Sequence, residues 1–327
     1  MRAFLLLLLC LLPSGVLAAC GGSDLRQTLS PEDRARITAS IADIPFKEGN
    51  HWIATKGTRR VHVLGTLHTN DPRMEKITEG LASLITGADA LLIEATEADQ
   101  AAMQRQMGKT PSLYLITEGP SLIDRMGEED WARVAERSAA RGIPAWMAAK
   151  MRPWFLSVSL SLPPCLKQTE QAKNGMDRRL EALAQESGVT TMSLEDPLTV
   201  IESLNAAPLD EQVRQMHATL SMTGDGDADE FHTMVESYFR EEVRYYLAMA
   251  EQRFKAETSL PAAEAEALWA EAMHLLIRER NHNWIPVIEA ADGDRIVVAV
   301  GALHLPGPDG VLNLLAKQGY HLQRAAF

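Results

Sequence analysis

Two short segments carry the strongest chemical signal. Gly65-Thr66-Leu67-His68 and Gly301-Ala302-Leu303-His304 are both Gly-x-Leu-His, and each directly follows an apolar run. Glycine lets a chain turn sharply as it leaves a sheet, so each imidazole is expected at a sheet edge, facing a cleft. Glu94 closes a third apolar run and adds a carboxylate. Two imidazoles and one carboxylate form a divalent-metal set of the kind found in His2Glu zinc hydrolases. The same three groups without metal suit general acid–base catalysis. A single histidine after a strand is more often a hydrogen-bonded part of the scaffold. Two in the same setting, with a strand-end glutamate, favour a working cluster. If they converge, the imidazoles of His68 and His304 should fall within about 8 Å of each other.

The elements that must position these residues are legible as an α/β pattern. His51 to Lys56 and Arg59 to Gly65 read as strands joined through Gly57-Thr58. Asp71-Pro72 opens a helix to about Ile85, and Ala88 to Ile93 is an apolar strand ending on Glu94. Helical spacing recurs near 97–107, 128–141 and 176–187. Val189 to Leu194 is a further strand ending on Glu195-Asp196-Pro197, and 198–282 is nearly all helix with a loop at Thr223 to Asp227. Arg295 to Val300 is a β-branched strand, Asp309 to Lys317 a helix, and Tyr320 to Arg324 a last strand. Near the start, Ser30-Pro31 caps a short helix to about Ile41. The fold class is therefore α/β: a mixed central sheet built from N- and C-terminal segments, with a large helical insertion around 97–290. Sites in such sheets form at the carboxyl ends of strands.

The N-terminus reads as an export signal over residues 1–19. Met1-Arg2 precedes the apolar run Phe4 to Leu12, and small residues follow up to Cys20. Nine apolar residues are about half of what spans a bilayer, so a periplasmic or envelope location is expected, with no membrane span in the mature chain. Leu17-Ala18-Ala19-Cys20 also fits a lipoprotein pattern, which would place a lipid anchor on Cys20. The competing expectation is a Cys20–Cys165 disulfide, because only these two cysteines survive cleavage. The whole chain has a net charge of −12, which disfavours nucleic acid as a partner and is compatible with cation binding.

The segments Val63 to His68, Leu91 to Ala95 and Val300 to Gly307 resemble the TraB/GumN family, which is related to the Tiki proteases and, in fold, to erythromycin esterase/ChaN-like proteins. The resemblance extends over nearly the whole mature chain, through Pro153-Trp154, Gly175-Met176-Asp177, Leu194-Glu195 and Arg280-Asn281. Tiki proteins carry two Gly-x-x-His motifs and a glutamate and act as metal-dependent proteases, typically with manganese or cobalt. The resemblance implies a hydrolase, with His68, Glu94 and His304 as catalytic and metal-holding residues and a peptide or small molecule as substrate. Manganese, cobalt or zinc would be the ion. Arg280 and Asn281 match a family position that could orient a carboxylate or bind substrate. The fold relation also admits a non-catalytic ligand- or haem-binding envelope protein, or an envelope assembly factor with a vestigial site.

Weaker features have ordinary readings beside them. Glu195 ends a strand, yet Glu195-Asp196-Pro197 equally suits a helix start. Asn70 and Asp71 could support His68 or cap the next helix. Asp225, Asp227, Asp229 and Glu236 mimic a calcium loop, but Glu230 stands where that loop needs glycine. Gly307 to Gly310 reads as a turn, and His274 and His282 as solvated or packed side chains.

Overall fold

The computed structural model describes residues 21–166, 174–220 and 227–327. Six strands form one sheet: β1 (His51–Lys56), β2 (Arg59–Thr66), β3 (Ala90–Ile93), β4 (Thr190–Ser193), β5 (Arg295–Gly301) and β6 (His321–Arg324), in the order β4-β3-β5-β2-β1-β6. Neighbours across β4-β3-β5-β2 run parallel, whereas β1 is antiparallel to both β2 and β6. The sheet is mixed and drawn mostly from the two ends of the chain, with β4 supplied from within the helical insertion.

Alternation along β5 explains the layering. Side chains of a strand point to opposite faces in turn. Ile296, Val298 and Val300 pack in one core with Trp284, Ile288 and Leu312. Val297 and Ala299 pack in the other with Met74, Leu180 and Tyr238. Helices thus cover both faces, as a parallel sheet with continuously apolar strands requires. A third core, around Val134, Leu156 and Met216, belongs to the helices of the insertion alone. The short helices Leu122–Met126, Ala145–Ala148 and Pro153–Ser161, which periodicity does not announce, gather there.

The expected β1–β2 hairpin is present, with Gly57 at φ 62° in its turn. One expectation from periodicity falls short. The helix around Arg280 does not end near 282 but runs as Glu279–Ala290 through Pro286, and a π-helical turn, His274–Arg278, precedes it. Proline removes one donor from the helical ladder, and π-turns shift the register of the residues that follow. The calcium-loop arrangement is absent among the described residues. Asp227–Phe239 is a helix, Asp229 accepts from the Ser23 backbone N–H, and Glu236 pairs with Arg73; Asp225 lies outside the described residues. The expected export signal and Cys20 also lie outside them. Cys165 sits in the 3-10 turn Pro164–Leu166. No helix among the described residues is long and apolar enough to cross a membrane.

Candidate active site

Each of the four parallel strands delivers one polar side chain at its carboxyl end. β2 leads to His68, β3 to Glu94, β4 to Glu195 and β5 to His304. The imidazole Nε2 of His68 lies 3.7 Å from Glu94 Oε1, and that of His304 lies 3.9 Å from the same oxygen. The two rings therefore approach within about 8 Å, close enough to share an ion or a water. His68, Glu94 and His304, placed together from the sequence, are together in the fold.

The two Gly-x-Leu-His motifs are not equivalent, however. In the β2–β5 register Gly65 pairs with Val300, and Gly301 pairs with Thr66. The motifs are offset by one residue, so their glycines face opposite sides of the sheet. Gly65 faces Ala302, to which an added Cβ would come within 3.0 Å. At Gly301 an added Cβ would stand 3.2 Å from both Glu94 Oε1 and His68 Nε2, and 3.6 Å from His304 Cδ2. Its missing side chain leaves the space between the three groups, while its N–H donates to Glu94 Oε1 at 2.6 Å.

Each imidazole is aimed by a partner on its other nitrogen. His68 Nδ1 lies 2.8 Å from Asp177 Oδ2, and the Thr66 hydroxyl donates to Asp177 Oδ1 at 2.5 Å. Asp177 reaches this place because Gly175 packs on the His68 backbone; an added Cβ there would fall 2.2 Å from the His68 carbonyl oxygen. Asp177 was visible in the sequence only as part of a family-like segment and as an acid at a helix start, which hid its role. His304 Nδ1 lies 2.6 Å from Asn281 Oδ1. The Asn281 amide donates to the carbonyls of His304 and Asp309 at 3.1 and 2.8 Å, so its oxygen must accept. The network thus places the His304 proton on Nδ1 and leaves Nε2 as an acceptor for Arg280 Nη1.

Arg280 ties the floor of the site together. It donates to Glu94 Oε2 at 2.7 Å and forms a fork with Glu195, whose second oxygen also accepts from the Trp284 indole at 3.1 Å. Its Nη1 stands 3.3 Å from His304 Nε2. Arg280, Asn281 and Trp284 are neighbours on one helix just past the π-turn. Glu195 is therefore part of the site through Arg280. Asn70 is not: its side chain accepts from Arg179 at 2.7 Å, and Asp71 accepts from the Arg73 backbone at the helix start. His282 pairs with Asp309 at 2.9 Å, away from the cluster, and Gly307 to Gly310 is a turn closed by the Gly310 N–H.

The charges differ sharply across the cluster. His304 has a side chain 6 % exposed, against 62 % for His68. Burial pushes the His304 imidazole down to about 3, so it is neutral. Asp177 draws His68 the other way, up to about 9. Burial would raise Glu94, but the surrounding imidazoles, the Arg280 guanidinium and the Gly301 N–H hold it down at about 2. With His304 neutral, Arg280 and His68 are the cations that keep Glu94 ionised.

The donor types suit a divalent ion, two imidazoles oriented from their opposite nitrogens and an ionised carboxylate, but an ion would have to displace the proton of His68 Nε2 and the Arg280 contact to His304 Nε2. The glycine-made gap at Gly301 lies between them. The observed separations are slightly wider than the roughly 3.4 Å between two ligands of one tetrahedral ion, and Arg280 leans on two of the three groups. Among the described residues, no three His, Cys, Asp or Glu side chains enclose an ion site as they stand.

YbaP of Escherichia coli K12, an uncharacterized protein, is 24 % identical over 273 residues, covering 82 % of this chain and 94 % of that protein. YbaP of Shigella flexneri matches to the same extent. The model of the TraB/PrgY/gumN family matches residues 50–324, from before β1 to the end of β6, and the chain belongs to that family.

Proposed function

We propose that the protein is a metal-dependent hydrolase that cuts peptides, with His68, His304 and Glu94 holding a manganese, cobalt or zinc ion. One observation carries the reading: His68 Nε2 and His304 Nε2 converge on the same oxygen of Glu94 around the gap left by Gly301. A bound ion would polarise the substrate carbonyl and make water more acidic. In hydrolysis the water oxygen bonds to the carbonyl carbon, the C–N bond breaks, and a proton ends on the leaving amine. Glu94, held ionised and weakly basic, suits a ligand better than a base. Asp177 and Asn281 fix the two rings. Arg280, anchored by Glu195 and Trp284, can donate to a developing oxyanion.

A second reading rests on Arg280 itself. Its guanidinium already supplies positive charge to Glu94 and to the Nε2 of His304, so the cluster could work as a metal-free acid–base site. Peptide hydrolysis by purified protein separates the two. The metal reading expects turnover abolished by a chelator, restored by manganese, cobalt or zinc, and lost in His304→Ala. Chelator-resistant turnover would overturn it in favour of the second. No turnover in any metal, with ligands still bound, would favour a non-catalytic binding protein.

A further inference from the structure

The helix Pro197–Leu204, Pro-Leu-Thr-Val-Ile-Glu-Ser-Leu, is strongly apolar yet contains no buried residue. Helices of this composition normally sink their apolar face into a core. Here Pro197, Val200 and Ile201, spaced to share one face, instead line a cleft of about 810 Å3 whose floor includes His68 and Glu94. The neighbouring helix Glu97–Lys109, which packs beside it, also buries no residue and lines the same cleft. It contributes Glu97, Gln100, Ala101, Met103 and Gln104 to the lining. One helix thus lines the cleft with aliphatic side chains, the other adds two amides a turn apart beside Ala101 and Met103, and the candidate hydrolytic cluster lines the same space.

We infer that this cleft selects peptides carrying an aliphatic side chain beside the reacting bond, with Val200 and Ile201 as the specificity-determining residues. The inference rests on the hydrolase reading for its chemistry but not for its binding. Half-exposed Val200 and Ile201 gain by being covered, and the gain grows with the apolar area of the covering group. Gln100 and Gln104 each offer both donors and an acceptor, which suits successive backbone amides; a plain acyl chain would leave these groups unmatched. Among the described residues the lining favours an aliphatic over an acidic side chain. The cleft's two arginines are already engaged, Arg280 with Glu94 and Glu195, and Arg178 with Glu181 and the Ala95 carbonyl. The carboxyl groups of Glu94, Glu195 and Asp177 line the same space.

The test uses quenched-fluorescent peptides identical except for Leu, Ala or Asp at one central position. Val200→Thr and Ile201→Thr remove apolar surface with little change of shape, and melting temperatures confirm that both fold. The wild type should prefer the Leu peptide by at least about tenfold in kcat/KM, mainly through KM. Each variant should lose most of that preference, its kcat/KM for the Leu peptide falling toward its value for the Ala peptide. Binding of the labelled Leu peptide is read separately, by anisotropy in a His68→Ala background. It should weaken by a similar factor when either threonine is added. Equal handling of Leu and Ala peptides, or a preference untouched by both variants, would overturn the inference while leaving hydrolysis in place. Tight, Val200- and Ile201-dependent binding without any turnover would retain the inference and reject the hydrolase. Absence of both binding and turnover would reject the two together.

Discussion

At the scale of single residues, the site depends on side chains that touch no substrate. Asp177 is the clearest case. It accepts from Thr66, holds the proton side of His68, and sets that imidazole's charge. Asp177→Asn keeps the shape but replaces the carboxylate by an amide. Partners of ligating imidazoles are typically worth about 10- to 100-fold in metal affinity or activity. We expect a loss of that size in kcat, with the imidazole resonance of His68 titrating at lower pH by NMR. An unchanged His68 titration would show that Asp177 does not govern the ring. His68, Glu94 and His304 were legible because their types and their place after apolar runs are unusual together. Asp177 was not, since an acid opening a helix is ordinary. The division of labour between Gly65 and Gly301 was also hidden, because a one-residue register offset leaves no trace in either motif.

At the scale of elements, β5 was readable from its five consecutive apolar residues, whereas the placement of Arg280 was not. That arginine depends on a π-turn and on a helix that continues through Pro286, and neither follows from apolar spacing. The β1–β2 hairpin holds a feature of its own. His51 Nδ1 faces the Ala326 carbonyl at 2.7 Å, and His51 Nε2 faces His62 Nδ1 at 3.0 Å. His51 must donate to the carbonyl, so its Nε2 accepts from His62 and both rings are neutral. Burial lowers both, with His62 reaching about 4 from its ordinary 6.5. Below pH 6.5 the unfolded chain therefore binds protons that the folded hairpin refuses. Stability should be full above that pH and fall as pH drops toward 4, by about 1–3 kcal/mol from this pair. Thermal melts between pH 7.5 and 4 read the effect. His62→Gln should flatten the slope, and an identical slope in that variant would contradict this origin.

At the scale of the whole molecule, the helical insertion and the sheet must be fastened together near the chain's start. Ser23 and Leu25 donate to Asp229 and Thr233 on the helix Asp227–Phe239. Arg141 bridges Asp227, at 2.5 Å, to the Leu162 carbonyl, at 2.7 Å. Ser23 and the Leu162 carbonyl are thus both linked to the helix Asp227–Phe239, each three residues from a cysteine of the expected Cys20–Cys165 bridge. A bridge between them would close a loop of over a hundred residues, for which the chain-entropy model gives about 4–5 kcal/mol as an upper figure. Intact mass of the exported protein without reductant should be two hydrogens below the reduced chain. A diacyl addition at Cys20, or two free thiols, would reject the bridge. The α/β class itself was legible because long apolar strands alternate with helices. The insertion's own core was not, because its helices are short and pack mainly on one another.

In the proposed hydrolase, β2, β3 and β5 together present a metal centre. Calorimetric titration of metal-stripped protein with manganese, cobalt and zinc tests this most directly, alongside His68→Ala, Glu94→Gln and His304→Ala that melt like the wild type. The account predicts one ion bound per wild-type chain and binding weakened at least about tenfold in each variant. Wild-type protein that binds no ion yet hydrolyses peptides, or variants that bind as the wild type does, would contradict it.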